Sequence, residues 1–262
     1  MDKGRFLKMA ENPDFISGIY NYCDRWCERC AFTRRCLTYA TIQDSSLPEG
    51  SEKTDETLSE SVKESFELAA AVLDDMAKEQ GIDLDQAILE ENRSKRDGRR
   101  KQAQQNPVSR DAREYSKMVR EWFEHHPLLF EEKRKRLEEE MILGVGEPLL
   151  VVADILDAAE VIQWHRHQIF VKILRALTGM EHEEEMPEVW EECQRDSDGS
   201  AKVALLGIDR SITAWGTLMN GLEDESRGIT KIIVHLDRLR LTVEEHFPGA
   251  SSFVRPGFDQ EI

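Results

Sequence analysis

Residues 149–178 read LLVVADILDAAEVIQWHRHQIFVKILRALT, and this stretch decides the fold class. Its apolar residues recur every three to four positions, from Val152 and Ile155 to Ile173 and Leu177, which is the spacing of one face of an α-helix. Further apolar residues cover much of the remaining surface, which is typical of a helix at the centre of a bundle. Gly179 marks the predicted end of this helix.

The rest of the chain repeats the helical pattern. No segment alternates polar and apolar residues for long enough to indicate a sheet. The basic run at residues 92–105 is predicted as a loop or a frayed helix end, and the acidic run at residues 181–199 as an interruption. The sequence therefore predicts an all-α protein, a helical bundle of five to seven helices. Besides the central helix, the predicted helices span residues 58–80, 84–91, 109–126, 128–143, 200–222 and 227–246.

Composition divides the chain into four predicted parts. Residues 1–41 contain a cysteine cluster and are predicted as a small four-cysteine metal-binding head packed on the bundle. Residues 42–57 are rich in Ser, Thr, Asp and Glu, which favours a flexible acidic linker. Residues 58–250 are predicted to hold the helical bundle, and residues 251–262 to follow it as an extended C-terminal tail.

Charge and terminal sequence restrict the classes of partner. The 262-residue chain carries a formal net charge of −17, so most of its surface repels nucleic acid and anionic membranes. The N-terminus lacks the apolar segment of a signal peptide, and no apolar run approaches the roughly 18 residues of a membrane span. Clustered cysteines in such a chain are typical of a reducing compartment. We therefore expect a cytoplasmic protein that contacts other proteins rather than nucleic acid or a membrane.

The strongest chemical signal is the run CDRWCERCAFTRRC at residues 23–36. In a helix, steps of four and three residues return to the same face, so Cys23, Cys27 and Cys30 are predicted to point one way and Cys36 to close the set from a short loop. Four thiolates that converge on one point suit Zn²⁺ or a [4Fe–4S] cluster. Because four protein ligands leave no open coordination position, the predicted role of the metal is structural.

The C-x2-C-x5-C ending of this run resembles the iron–sulfur loop of the helix-hairpin-helix DNA glycosylases. That resemblance implies a cluster and favours [4Fe–4S] over Zn²⁺. The first gap is shorter here than in that family, and these cysteines lie near the N-terminus, so no other property of the family is implied. The C-x3-C-x2-C start is similar to the cysteine triplet of radical-SAM enzymes, but their (β/α) barrel has no counterpart in a chain without predicted strands.

A second candidate site involves the predicted central helix. Glu160 and His167 are two helical turns apart and share one face. With Glu67 or Glu64, and with Glu121 and His125, all from other helices, they could form a di-metal centre similar to those of ferritin-like or haem-oxygenase-like bundles. The Glu-x-x-His signature of the ferritin-like group is absent, and ordinary solvated or salt-bridged side chains explain the same residues.

Three functions are consistent with these patterns. The first is a metal-binding helical protein with a structural four-cysteine centre that acts as an interaction protein. The second is a helical-bundle di-metal oxidase that uses the central helix, and the third is a nucleic-acid accessory protein that uses the basic run Arg93–Lys101. That run is equally suited to docking on the acidic stretch at residues 181–198. No phosphate-binding glycine loop, nucleophile elbow or His-Glu zinc motif is present, so whether the chain is an enzyme stays open.

Overall fold

The computed structural model of the protein describes residues 3–44, 70–79, 81, 86–127, 131, 135, 142, 148–185, 194–222 and 225–259. Within these ranges the chain forms eight α-helices and three short 3-10 helices, and no β-strand, so the all-α prediction is confirmed. The α-helices are α1 (Lys3–Ala10), α2 (Leu37–Asp44), α3 (residues 70–79), α4 (Gln86–Gln105), α5 (Pro107–His125), α6 (Pro148–Glu185), α7 (Asp196–Gly221) and α8 (Ser226–His246).

The helix count is above the predicted five to seven because the N-terminal region contributes two short helices, α1 and α2. The basic run at residues 92–105 is also not a loop, since α4 continues through it. Lys, Arg, Gln and Ala are good helix formers even where no apolar stripe marks the helix. The predicted linker beyond residue 44, the predicted helix 58–80 before residue 70, and most of 128–143 lie outside the described residues.

Helix α6 does not end at Gly179 as predicted but continues to Glu185. Glu183 explains the extension, because its buried carboxylate accepts hydrogen bonds from the backbone N–H of Ser197 (2.9 Å) and from its hydroxyl (2.5 Å). Ser197 lies in the first turn of α7, whose own cap residue, Arg195, makes no side-chain capping bond. A side chain of α6 therefore caps α7, and this tertiary contact outweighs the helix-ending tendency of glycine.

The chain divides into two compact units, Met1–Asp97 with Arg255–Ile262, and Gly98–Val254. In the second unit, α6 packs against α5 and α7, and α8 packs against α7 and α5. Each of these four helices therefore has two neighbours in the bundle, an arrangement in which consecutive helices lie side by side.

Two pairs of neighbouring helices in the bundle run antiparallel, α6 with α7 and α5 with α8. Gly221, at the end of α7, lies against Ile155 near the start of α6, whereas Gly207 lies against Ile169 further along α6. Between α5 and α8, the His126 ring is 2.8 Å from the Glu225 carboxylate at one end. Antiparallel neighbours of this kind are a feature of up-down-up-down four-helix bundles.

Aromatic residues of α5 and α7 pack against one another in the core of the bundle. The chain enters α5 through Asn106, whose side chain accepts the Val108 N–H at 2.9 Å, and Pro107 occupies the first turn. Tyr115 and Trp122 then fall on the buried face of α5. Trp215 of α7 is fully buried, donates its indole N–H to the Tyr115 hydroxyl at 3.4 Å and meets Trp122 edge to face at 5.0 Å.

The prediction that residues 149–178 form the central helix is only partly met. The face that carries Ile155, Ile162 and Ile169 is buried. Val171, one of the further apolar residues predicted to make this helix apolar nearly all round, is 53% exposed, and Leu156 is 55% exposed. Helix α6 therefore has one buried face, as the other three helices of the bundle do, and it is not covered all round.

The first unit has much less interior in its described part. Of residues 3–44, Ile19 and Trp26 are the two buried hydrophobic residues. The stretch between α1 and α2 consists of turns and three 3-10 helices (Ile19–Asn21, Cys27–Arg29 and Thr33–Arg35). In the described parts of both units, no helix has the length and apolar character that a membrane crossing requires.

Candidate metal centre

All four cysteines of the predicted cluster line one cavity of the first unit. Cys23, Cys27, Cys30 and Cys36 are partly buried, and none of them forms a disulfide. The four residues thus meet around one space, as the spacing predicts, although they come from fourteen residues with little regular structure.

The cysteines converge by a route that the sequence analysis did not predict. No α-helix places Cys23, Cys27 and Cys30 on one face. Instead a 3-10 turn spans Cys27–Arg29, and Cys30 donates its N–H to the Cys27 carbonyl at 3.2 Å. A second 3-10 turn, Thr33–Arg35, leads to Cys36 in the same way. Tight turns rather than one helix therefore gather the thiols.

The backbone is strained between the first two cysteines. Arg25 has φ of +61°, in the left-handed region that side chains other than glycine rarely adopt. The Asp24 carboxylate accepts the Trp26 N–H at 3.1 Å, which holds this reversal. Such strain persists where surrounding interactions fix the conformation, and it is concentrated at functional sites.

Two of the sulfur atoms have backbone partners. The N–H of Phe32 points at the Cys30 sulfur from 3.4 Å, and the Cys23 thiol donates to the Tyr20 carbonyl at 3.5 Å. A backbone N–H directed at sulfur favours the thiolate, and it is a contact of the kind that orients and tunes a metal-bound cysteine.

The thiols are close enough to affect one another electrostatically. Burial raises the pKa of Cys27 above the usual thiol value, and the charges of Cys23, Cys30 and Cys36 raise it further. Burial also raises the pKa of Cys30, against the Phe32 N–H, which lowers it. Four thiolates together are therefore unfavourable at this site unless a cation offsets their mutual repulsion.

Aromatic side chains surround the cysteines, and one of them comes from the other end of the sequence. Tyr20, Trp26, Phe32, Tyr39 and Phe258 line the same cavity. The ring of Phe258 meets that of Phe32 edge to face at 5.1 Å. Residues 255–259 form turns, not the extended tail that the sequence suggested. Nothing in the sequence pattern indicated that Phe258 belongs with the cysteines.

Gly257 shows how tightly this C-terminal segment approaches the head. Its φ is +76°, and a Cβ at this position would lie 2.8 Å from Ile16 and 3.1 Å from Ile19. Glycine is therefore needed here both for the backbone conformation and for the space. The close approach fixes the segment that carries Phe258.

Within the described ranges, no group of three or more His, Cys, Asp or Glu side chains is arranged so that it could hold a metal ion. This includes the four cysteines in their present positions, which share a cavity. It also includes the described residues of the predicted di-metal centre.

The residues of that second candidate site engage other groups. The His125 ring contacts the Glu121 carbonyl at 2.6 Å, as a histidine that closes the last turn of a helix does. His167 lies 3.5 Å from the Ser116 hydroxyl, and Glu160 is exposed. Glu67 lies outside the described residues. The di-metal centre therefore stays a prediction without a supporting contact.

The basic run on α4 pairs with acidic residues of the same chain. Arg99 lies 2.7 Å from Glu185 at the end of α6, and Lys95 lies 2.8 Å from Glu91 one turn earlier on α4. The first contact is of the kind expected if the run docks on the acidic stretch. Because Arg99 is paired with Glu185, its charge is partly neutralised and is less able to bind a nucleic-acid phosphate.

Comparison with known proteins gives no match. No protein-family model, no curated protein and no solved structure is similar to this chain. The geometry of the cysteine cavity is therefore the basis for a functional proposal.

Proposed function

We propose that this protein is a metal-binding helical protein whose four-cysteine centre is structural, and that it acts through contacts with other proteins. The observation that carries the first part is that Cys23, Cys27, Cys30 and Cys36 all line one cavity while remaining free thiols. Thiolate sulfur suits zinc and iron–sulfur centres, and the charge of such a centre would offset the repulsion among the thiolates.

A structural role follows from how little else holds the head. With Ile19 and Trp26 as the buried hydrophobic residues of 3–44, hydrophobic burial contributes little to the stability of this segment. Small regions of this kind are usually held by a metal or by disulfides. A centre that joins four positions of the chain offsets the entropy of ordering its turns.

The interaction role is supported by charge and by one pair of exposed apolar side chains. Leu73 and Met76 of α3, three residues apart on the same side of the helix, are 63% and 50% exposed. A net charge of −17 disfavours nucleic acid and anionic membranes, so another protein is the partner that such a surface suits.

Metal removal combined with hydrogen exchange tests the structural role. We expect a strong chelator to abolish the exchange protection of residues 3–44 while the amides of α5 to α8 keep theirs. Cys27→Ser should have the same effect without chelator. Cys193→Ser, which changes a cysteine outside the run, serves as the matched control and should leave the protection of the head intact.

Two results would contradict the proposal. Protein that contains no stoichiometric metal under anaerobic conditions would refute the metal centre itself. Protection of residues 3–44 that survives metal removal would show that the centre, although present, is not what holds the head together.

A further inference from the structure

We propose that the C-terminal segment Arg255–Asp259 is a lid on the cysteine cavity, and that metal binding and docking of this lid stabilise each other. This inference rests on the proposed function, and it adds a means by which the same site controls how fast its metal exchanges. It is carried by the contacts that join the lid to the turns on which the cysteines lie, and it holds for any metal that four thiolates bind.

The lid is held in a compact shape by its own contacts. The Arg255 guanidinium donates two hydrogen bonds to the Asp259 carboxylate, from Nη2 to Oδ1 at 2.8 Å and from Nε to Oδ2 at 3.0 Å. The same guanidinium lies 4.9 Å from the centre of the Phe258 ring, and the Phe258 N–H donates to the Arg255 carbonyl at 3.2 Å. Because a bidentate pair of this kind fixes geometry, the lid presents the Phe258 ring in one direction.

The lid docks on the head through apolar contacts. Phe258 lines the cavity of the four cysteines and meets the ring of Phe32 edge to face at 5.1 Å. Gly257 lies so close to the head that a Cβ there would be 2.8 Å from Ile16 and 3.1 Å from Ile19. Apolar contacts of one short segment give a docking equilibrium that opens locally, well before the whole protein unfolds.

Two residues that the lid contacts are hydrogen-bonded to the cysteine turns. The N–H of Phe32 points at the Cys30 sulfur from 3.4 Å. The N–H of Ile16 donates to the carbonyl of Arg35, the residue before Cys36, at 3.0 Å. The surface on which the lid docks is therefore positioned by the turns whose cysteines would bind the metal.

These contacts make metal binding and lid docking depend on each other. A metal that fixes the turns of Cys30 and Cys36 also fixes the surface on which the lid docks. Coupling between two binding events is reciprocal in free energy, so a docked lid in turn raises the affinity of the cysteines for the metal. Because Phe258 forms part of the cavity wall, opening of the lid also exposes the metal to a chelator or a competing thiol.

The rate at which a chelator removes the metal from the full chain tests the lid. Loss of one edge-to-face ring contact should raise the population of the open lid, and with it the release rate of Phe258→Ala, about 2- to 10-fold over wild type. Phe258→Leu, which keeps an apolar side chain, should release metal at an intermediate rate. Val254→Ala is the matched control and should release metal at the wild-type rate, because Val254 is 39% exposed and does not line the cavity.

A second measurement, on the wild-type chain, avoids dependence on variants that fail to fold. Metal removal should accelerate hydrogen exchange at the amides of Phe258 and Asp259, both of which donate to the Arg255 carbonyl. The amides of Ala250 and Phe253, which belong to the Gly98–Val254 unit, should exchange at the same rate with and without metal.

The outcomes separate the lid from the metal centre. Equal release rates in wild type and Phe258→Ala, or equal acceleration by Val254→Ala, would overturn the lid and leave the structural metal centre standing. Exchange at Phe258 and Asp259 that is the same with and without metal would do so too. Protein purified without oxygen that contains no stoichiometric metal would overturn both.

Discussion

The Gly98–Val254 unit and the described N-terminal head are stabilised by different means. In the first, Tyr115, Trp215 and Leu236 are fully buried among apolar residues of four helices. In the head, residues 3–44 bury Ile19 and Trp26 alone among their hydrophobic residues, while four free cysteines face one cavity. The difference teaches that the bundle depends on area removed from water, whereas the head has little such area and, on the proposed function, depends on a metal that joins its four thiols.

Truncating one tryptophan in each region tests this contrast most strongly. Trp215→Ala should lower the free energy of unfolding of the bundle by about 3–5 kcal/mol, because it removes a fully buried aromatic side chain and leaves a cavity. Trp26→Ala in the metal-bound protein should leave the bundle transition unchanged and accelerate loss of metal to a chelator. Denaturant unfolding followed by far-UV circular dichroism, with metal release measured in parallel, gives both results.

If Trp26→Ala lowered the free energy of unfolding of the bundle as much as Trp215→Ala does, the two regions would not be stabilised by different means. The comparison would also fail if the metal left both variants at the wild-type rate, since Trp26 would then not shield the cysteines.

Alkaline pH should destabilise the bundle through Tyr115. Burial raises the pKa of Tyr115 to about 12, above the value near 10 of an unfolded chain. The stabilisation from this group is therefore complete below pH 10 and is lost as the pH rises towards 12. Between about pH 9 and pH 11.5 we expect a loss of about 2 kcal/mol.

Tyr115→Phe is the control for this prediction, because phenylalanine has no proton to lose. The difference in unfolding free energy between wild type and Tyr115→Phe, measured at both pH values, isolates the phenol from other groups that titrate there. An equal loss in the two proteins would show that Tyr115 becomes accessible to water at high pH.

Two glycines of α7 provide the smallest and most local comparison. A Cβ at Gly207 would lie 3.2 Å from His165 Nδ1 and from Ile169 Cγ1, whereas a Cβ at Gly216 has no neighbour within 4 Å. Gly216→Ala should raise the stability of the bundle by about 0.5–1 kcal/mol through helix propensity. Gly207→Ala should lower it by about 1 kcal/mol, because the strain of pushing α6 away exceeds that gain.

Thermal unfolding of the two variants decides this prediction. Stabilisation of both would mean that α6 and α7 approach less closely than the Gly207 contact indicates, and that packing in the bundle is less tight than the comparison with the head supposes.

Helix positions could largely be predicted from the sequence, and helix ends could not. The periodicity of apolar residues identified α5, α6, α7 and α8, because each has one face that must be buried. The predicted end of α6 was wrong, because the helix continues to Glu183, whose side chain caps the neighbouring helix α7. No local sequence pattern encodes that contact. The basic part of α4 was missed because a helix without an apolar stripe gives no periodic signal.

The candidate site shows the same division. The spacing of Cys23, Cys27, Cys30 and Cys36 was enough to predict that their thiols meet, and the structure brings them to one cavity. The predicted mechanism, three cysteines on one helical face, was wrong, because 3-10 turns and the strained Arg25 gather them instead. Phe258 was absent from the prediction, since its contact with Phe32 joins distant parts of the chain.

The sequence by itself determined the all-α class, the faces that the bundle buries and the set of cysteines that line one cavity. These properties follow from residue spacing, which fixes which side chains lie on the same side of a helix or within reach of one turn. Only the tertiary structure decided how far α6 extends, which helices are neighbours, how the four cysteines reach one cavity and which distant aromatic ring lines it. Those properties depend on contacts between residues far apart in the chain, and the free energy of such contacts cannot be read from any local window.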